Sequence, residues 1–528
     1  MEGDDRHEPL GALPDLCDVV GTALGPLGAS KLVLTEHGEV STVASAAAVL
    51  DRLGVEDPAV TLLDAATTGF ADRHGDGTTT VVALVGALLE EADSLLETGV
   101  HPTVVERGYR TAADVAVEAI DGRARPVSTV GLSAVARTAL GGVRDPLTRE
   151  TVGEGVVRAV EAIDAEGPGP TGRDRVTVTA RIGPPSETES VRGLVLEYDP
   201  VVDSMPGSVA DAGVAVLSST VDTPTLAGET ARSERSVSLT VDSFDGRRSV
   251  REHEREAFRE RLAAAVDAGC RFVATGMAVN DRVKRALANS GVIAVQRVDE
   301  PDLRRLALAT GASVCPSLDH VTAERLGRAD VTGRRLAGRH VYVVENGAGD
   351  PAYTLLCRAP DPRSVDSFRR SVESAVASTV RAAREGTVVP GGGAAELAAS
   401  RAVRDHARSV TGREQLAVEA FADALRVVPR RLASSAGLSE WTTLTGLVAA
   451  HANGRDARGV DVLAGAPADV LDGENPVADP TGLKRDVVSV ATDLTVRLVR
   501  IDDRLPATEL DPDDEPGEDA PGRAGGPA

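Results

Sequence analysis

The chain has 528 residues, 42% of them apolar, which is enough for several packed domains. Its formal net charge of −24 argues against nucleic acid as a general partner, because phosphate backbones need a basic surface. Lysine occurs only at Lys31, Lys284 and Lys484, so nearly all of the positive charge is arginine. This acidic, lysine-poor balance is typical of proteins from a high-salt cytoplasm, although GC-rich codon usage favours the same residues.

The N-terminal segment is acidic, and no apolar run approaches the roughly 20 residues that span a bilayer. We therefore expect a soluble, cytoplasmic protein with no membrane partner. The four cysteines are widely spaced, and no two of them have the spacing of metal ligands. We expect buried free thiols at all four positions, Cys17, Cys270, Cys315 and Cys357.

Residues from about 11 to 125 have the alanine-rich apolar spacing of helices, except for 40–49, which suits a strand or a helix. The run GDGTTT at residues 75–80 opens one of these helical segments. Its glycines let backbone approach a ligand, and the free amides of a helix N-terminus attract phosphate. Asp76 would repel phosphate, so it predicts a bridging Mg²⁺. For a lone Gly-Asp-Gly, an ordinary capped helix is the alternative.

The middle of the chain alternates between predicted strands and helices. The pattern is mixed from about 126 to 190, with a predicted loop at 166–170. Strands are predicted at 191–196, 214–217, 236–241, 272–275 and 292–295, and helices at about 250–268 and 279–288. This alternation predicts an α/β domain.

Helical spacing returns near Ser364 and continues to about Ile501, interrupted by a glycine- and aspartate-rich insertion at 454–480. Helices at both ends around an α/β middle predict a discontinuous domain, in which the first and last thirds pack together. A second glycine-rich run, Gly391–Gly393, joins two helical segments. Such a run lets backbone lie against a planar or phosphorylated ligand, although a simple hinge is the alternative.

Several motifs, in order along the chain, resemble those of group II chaperonins, the family of archaeal thermosomes and the eukaryotic cytosolic chaperonin. They lie at residues 22–28, 55–59, 75–80, 101–110, 388–396, 413–425, 436–438 and 500–503. The chain is therefore identified as a divergent member of that family, of the haloarchaeal type that its acidity suggests.

The resemblance implies a multidomain chaperonin fold. A mostly α-helical equatorial, nucleotide-binding domain would comprise 1–125 and 388–510, and a small mixed intermediate domain 126–193 and 350–387. An α/β apical, client-binding domain would span 194–349 and carry a protrusion near 227–255. The acidic, Pro/Gly-rich tail at 511–528 is expected to be disordered.

The resemblance also implies a site for ATP and Mg²⁺. The phosphate-cradling residues would be Leu24, Gly25, Pro26, Gly77, Thr78, Thr79 and Thr80. Asp76 would hold the magnesium ion, and the triplet Gly391, Gly392 and Gly393 would face the nucleoside. Asp479 occupies the position of an acid that contacts the ribose, although a turn aspartate is the alternative there.

This chain departs from the family at two acidic positions that take part in ATP hydrolysis. Counting along the motifs places Ser374 where the family has the aspartate that activates water, and Ser45 where a second aspartate assists. A serine can position water but cannot take its proton near neutral pH. Glu373 is adjacent to Ser374, but one residue along a helix turns the side chain by about 100°.

The sequence thus predicts an ATP-binding subunit that assists the folding of non-native proteins in a double ring of homologous subunits, with weakened hydrolysis. The ring could contain one kind of subunit or several. Two alternatives stay open: a fully active ATPase that uses a substitute acid such as Glu373, and a non-catalytic ring scaffold. A nucleotide kinase is disfavoured, because the chain has no Gly-Lys-Ser/Thr phosphate loop.

Overall fold

The structure is a computed structural model. It describes residues 13–34, 40–43, 45–53, 57–165, 175–184, 187–222, 244–336, 339–359, 361–362, 364–473 and 475–501. The loop predicted at 166–170, the strand at 236–241 and the tail at 511–528 lie outside the described residues, as does the first half of the predicted protrusion.

Helices dominate the first part of the described chain: α1 (Leu13–Gly21), α2 (Ala46–Leu53), α3 (Pro58–His74), α4 (Thr78–Glu97) and α5 (Pro102–Asp121). Strands β1 (Lys31–Leu34) and β2 (Val40–Val43) form an antiparallel hairpin between α1 and α2. Segment 40–49, which the sequence left open, therefore divides into a strand and the start of a helix. Asp57 caps α3 by accepting a hydrogen bond from the Ala59 amide at 2.7 Å.

A small mixed region follows: β3 (Arg125–Pro126), α6 (Val127–Val130), α7 (Leu132–Ala139), α8 (Pro146–Ala165), β4 (Val176–Ile182) and β5 (Glu189–Arg192).

The central part alternates strands with helices, as predicted. Its elements are β6 (Leu194–Leu196), β7 (Ser208–Leu217), α9 (Phe244–Asp267), β8 (Cys270–Thr275), α10 (Asp281–Asn289), β9 (Ile293–Val295), α11 (Glu300–Thr310), β10 (Val314–Cys315), β11 (Gly327–Leu336) and β12 (Arg339–Glu345). The strands form one sheet in the order β6-β12-β11-β7-β8-β9, with β10 beside β7. Strands β7, β8 and β9 are parallel, because α9 and α10 provide the crossovers that parallel strands need.

The remaining elements return to helix: β13 (Tyr353–Ala359), α12 (Val365–Glu385), β14 (Thr387–Pro390), α13 (Ala394–Ala407), α14 (Arg413–Ala424), α15 (Val427–Ser435), α16 (Glu440–Ala452), β15 (Arg458–Asp461), β16 (Ala466–Asp469), β17 (Ala478–Pro480) and α17 (Thr481–Val499). β13 pairs with β4 and β5, which closes the mixed region. β14 lies between β3 and β17, where the chain leaves and re-enters the helical part.

The apolar side chains form separate cores. The largest combines residues 13–120 with residues 389–499, so helices from both ends of the chain pack together. A second core joins residues 136–180 to residues 353–380. Two further cores cover opposite faces of the central sheet. Successive residues of a strand point to opposite faces, and Phe272 and Val273 belong to different cores.

The four cysteines are all buried and free, as the sequence predicted. Among the described residues, no helix is both long and apolar enough to cross a membrane.

Candidate functional site

A cavity of about 1130 Å³ lies where the helices of the largest core meet α7 and α12. The residues of interest that line it come from distant parts of the chain: Leu24, Gly25, Pro26, Ser45, Asp76, Gly77, Thr78, Thr79, Thr80, Glu373, Ser374, Gly392, Gly393 and Asp479. The fold thus brings together every predicted site residue except Gly391. The cavity is therefore the candidate functional site.

The loop before α4 is shaped to receive an anion. Gly75 and Gly77 both have positive φ, 70° and 85°, a conformation that glycine adopts without strain. No side chain caps α4, so the first-turn amides at Thr78–Thr80 have neither a side-chain acceptor nor a partner within the helix. Thr79 Oγ1 also accepts a hydrogen bond from the Ala46 amide at 3.3 Å, which ties the segment at Ser45 to this loop.

Asp76 lines the cavity, and both of its carboxylate oxygens accept hydrogen bonds. Its Oδ1 accepts from the Gly77 amide and its Oδ2 from Ser378 Oγ, each at 2.7 Å. Burial raises the pKa of Asp76 above its ordinary value, and the Asp479 carboxylate raises it further, against the hydrogen bond from Ser378. A cation beside Asp76 would stabilise its charged form and so lower this pKa again. A single carboxylate with nucleotide phosphates is how Mg²⁺ is usually held, so the residues fit magnesium.

The described residues contain no group of three or more His, Cys, Asp or Glu side chains that could hold a metal ion by themselves. Leu24–Pro26 and Gly77–Thr80 lie on the same cavity as Asp76, which leaves space for phosphate oxygens beside the carboxylate.

Helix α12 is fastened to this loop by hydroxyl groups. Ser374 Oγ donates to the Gly75 carbonyl at 2.8 Å, and Ser378, one turn further along, donates to Asp76. A carboxylate at position 374 could not donate to that carbonyl. Ser378 escaped the sequence analysis, although its spacing of four from Ser374 puts both on one face of the helix.

Glu373 lines the cavity, but its carboxylate is already engaged. Arg369 Nη1 lies 2.6 Å from Glu373 Oε1, one turn back on the same helix. This ion pair directs the Glu373 carboxylate along the helix surface. It therefore weakens the case for Glu373 as a substitute base.

Asp479 is fixed by a buried ion pair that the sequence analysis missed. Lys484 Nζ lies 3.0 Å from Asp479 Oδ2 and 2.8 Å from Glu396 Oε1. The two carboxylates raise the pKa of Lys484 despite its burial. Lysine occurs at only three positions in this chain, and this rarity could have singled out Lys484. Asp479 is thus an oriented carboxylate on the cavity wall rather than a free turn aspartate.

The glycine triplet is required by close packing. Gly392 and Gly393 have φ of 60° and 79°. A Cβ at Gly392 would lie 2.6 Å from the Val460 carbonyl oxygen, and one at Gly393 would lie 2.8 Å from Pro429 Cα. Gly391 does not line the cavity: its amide donates to the Val477 carbonyl at 2.9 Å. This packing argues against a simple hinge.

We expect Gly393→Ala to lower the thermal unfolding midpoint more than Gly386→Ala does. Gly386 also has positive φ, 69°, but an added Cβ there meets nothing within 4 Å. Left-handed backbone costs an ordinary residue about 1–2 kcal/mol, and the contact with Pro429 adds about 1–3 kcal/mol at Gly393 alone. Equal midpoints for the two variants would contradict the close packing of the triplet.

Comparisons with known proteins agree with this architecture. Residues 16–508 match the TCP-1/cpn60 chaperonin family. A thermosome subunit from Methanopyrus kandleri is 34% identical over 503 residues, which is 94% of this chain and 90% of that protein. Thermosome subunit 3 of Haloferax volcanii is 35% identical over 498 residues, 93% of each chain.

The fold is also that of a solved chaperonin. The crystal structure of a group III chaperonin in the open state superposes with a TM-score of 0.75 at 24% identity, over 94% of this chain and 98% of that one. The predicted multidomain chaperonin fold is confirmed, with a mostly helical equatorial part, an α/β apical part and a small mixed intermediate part. The chain belongs to the TCP-1/cpn60 chaperonin family, as its resemblance to group II chaperonins predicted.

Proposed function

We propose that this chain is an ATP-binding subunit of a double-ring chaperonin that assists protein folding and hydrolyses ATP slowly. The observation that carries the proposal is the composition of the cavity. The α4 amides, Asp76 and Asp479 surround a space large enough for a nucleotide, and Ser374, which the motif spacing aligns with the family's acid, lines the same cavity. Binding groups are present and the water-activating carboxylate is missing.

The nucleotide would be held by residues of several elements. Leu24, Gly25, Pro26 and Gly77–Thr80 would cradle the phosphates, and Asp76 would hold Mg²⁺. Asp479, oriented by Lys484, would accept a hydrogen bond from the ribose. Gly392 and Gly393 would face the nucleoside, with Gly391 keeping the triplet in place. The metal ion, when bound, neutralises phosphate charge.

This chain's own residues account for slow hydrolysis. Ser374 Oγ can hold a water molecule but cannot remove its proton near neutral pH. Ser45 offers only a second hydroxyl on the same cavity. Glu373 is paired with Arg369, so its carboxylate is oriented along the helix.

The domain division is part of the proposal. Residues 1–125 and 388–510 would form the equatorial domain, 126–193 and 350–387 the intermediate domain, and 194–349 the apical domain. The separate apolar cores support this division. Non-native proteins would bind to apical apolar surface in the cytoplasm, and nucleotide state would rotate the domains against one another.

Assembly is the first test, and we expect light scattering in high salt with ATP to show a species many times the 54.5 kDa subunit. Leu32 and Leu34 project from one face of β1 and are 72% and 69% exposed, so this hairpin offers an apolar contact. The double variant Leu32→Ser, Leu34→Ser should lower the assembled fraction.

The control is Met277→Ser, which removes an exposed apolar side chain from the central part and should leave assembly unchanged. A strict monomer, both alone and with homologous subunits from the same cell, would contradict the ring. Calorimetric titration of the wild type with ATP and Mg²⁺ tests the binding half of the proposal, and absence of binding would contradict it.

A further inference from the structure

Helix α12 presents a third cavity-lining side chain besides its two hydroxyls. Arg370 lies one turn before Ser374, and it lines the same cavity. Residues spaced by four share one face of a helix and are about 6 Å apart along its axis. Arg370 therefore faces the region of the cavity just beyond the contact between Ser374 and the phosphate loop.

Arg370 has no ion-pair partner among the described residues. In the described chain no carboxylate lies within 4 Å of its guanidinium, and the side chain makes no hydrogen bond. Burial lowers the pKa of Arg370, and repulsion from Arg52 and Arg369 lowers it further, against weaker attraction from Asp366 and Glu373. Its neighbour Arg369, by contrast, is neutralised by Glu373.

A second arginine on this wall is also unsatisfied. Arg137 on α7 lines the cavity, and its Nε is buried with no hydrogen-bond partner among the described residues. Arg149 lines the cavity too, but its guanidinium donates to the carbonyls of Leu140, Val143 and Arg137, so it serves the fold. A buried donor without an acceptor costs stability, and it is expected where a ligand supplies the acceptor.

The remaining acids of the lining do not neutralise these two arginines. They are Asp51, Asp72, Glu150 and Asp461, and in the described part of the chain none makes an ion pair with Arg137 or Arg370. The wall formed by α7 and α12 therefore carries two arginines that are free to bind an anion.

We propose that Arg370 and Arg137 bind the terminal phosphate of the nucleotide and make this site selective for triphosphates over diphosphates. The inference rests on the proposed ATP site. A guanidinium offers a planar fork of donors that matches phosphate oxygens. The inner phosphates would lie on the α4 amides, and the terminal one would reach the arginine wall. The site would then bind a nucleoside triphosphate tightly and lack the general base that would hydrolyse it.

The test is calorimetric titration of the full chain, with Mg²⁺, against ADP and the non-hydrolysable β,γ-imido analogue of ATP. We expect Arg370→Gln and Arg137→Gln each to weaken the analogue about 10- to 100-fold, the usual loss of a hydrogen bond to a charged group. The affinity for ADP should change less than about threefold. Arg370→Lys, which keeps the charge without the fork, should lose less than Arg370→Gln.

The matched control is Arg384→Gln, which removes the same charge from an exposed position of the same helix outside the cavity lining and should change neither affinity. If both nucleotides weaken equally in the Gln variants, or neither weakens, the arginine assignment is wrong although the nucleotide site stands. If the wild type binds neither ADP nor the analogue, the proposed ATP site itself is wrong. Tighter binding of inorganic phosphate than of the analogue would also overturn the inference.

Discussion

The variant Ser374→Asp should hydrolyse ATP faster than the wild type, by about 10²-fold or more. The phosphate loop, Asp76 and Asp479 already surround the cavity, so the added carboxylate would supply a base to activate water. General-base assistance is typically worth about 10²–10⁴-fold. The measurement is steady-state phosphate release in high salt with Mg²⁺, and Ser374→Asn is the control of equal size that cannot accept a proton.

The rate increase in Ser374→Asp is limited by the loss of a hydrogen bond. Ser374 Oγ now donates to the Gly75 carbonyl, and an aspartate there would repel that oxygen and lie near Asp76. A cation held by Asp76 would offset part of this repulsion. The double variant Ser45→Asp, Ser374→Asp should exceed the single one, because it restores both acids of the family pattern.

The rival account assigns the base to Glu373. On that account wild-type phosphate release is already fast, Glu373→Gln abolishes it, and Ser374→Asp adds little. The ion pair between Arg369 Nη1 and Glu373 Oε1 at 2.6 Å argues against it. Fast wild-type release that disappears only in Glu373→Gln would settle the matter in favour of the rival.

Asp76→Asn should weaken ATP binding by about 100-fold or more when Mg²⁺ is present. The amide keeps the shape of the side chain, and its oxygen can still accept from Gly77 or Ser378, so the loop should stay folded. The variant loses the one carboxylate that this loop offers to a cation. Loss of a residue that only hydrogen-bonds to a metal ligand typically weakens metal affinity about 10–100-fold, so loss of a ligand itself should cost at least as much.

The same titration in excess EDTA supplies the internal control: without the metal ion the Asp76 carboxylate repels the phosphates, so Asp76→Asn should then bind ATP at least as tightly as the wild type. Asp114→Asn, at an exposed position of α5 outside the cavity lining, should behave as the wild type with Mg²⁺. Unchanged affinity of Asp76→Asn in Mg²⁺ would place the metal elsewhere.

The parts of the site that consist of consecutive residues could be predicted from the sequence, because the residue types alone indicate their chemistry. The run at 75–80 combines glycines, a carboxylate and a helix start, and it lies on the cavity with Gly392 and Gly393. The packing of both chain ends into one core followed from helical spacing at each end. Helix α9 begins at Phe244 rather than near 250, since charged residues can extend a helix without any apolar spacing to mark it.

The parts that sequence could not reveal depend on which elements become neighbours. Ser378 matters because α12 lies against the loop of Asp76, and Lys484 because α17 brings it between Asp479 and Glu396. Arg137 and Arg149 look alike in sequence, yet only Arg149 finds carbonyl acceptors. Likewise Gly391 belongs to the triplet but turns toward Val477. Such differences appear only once the tertiary contacts are known.

A single-turnover measurement on the wild type can separate retained ATP binding from impaired hydrolysis. Excess protein is mixed with γ-labelled ATP and Mg²⁺ in high salt, and bound ATP and released phosphate are counted in each sample over time. We expect the label to stay with the protein and to remain ATP for a time about 10²–10⁴ times longer than a base-assisted site would allow. Label that never binds, or bound ATP that becomes ADP within seconds as ordinary enzyme turnover would give, contradicts this expectation.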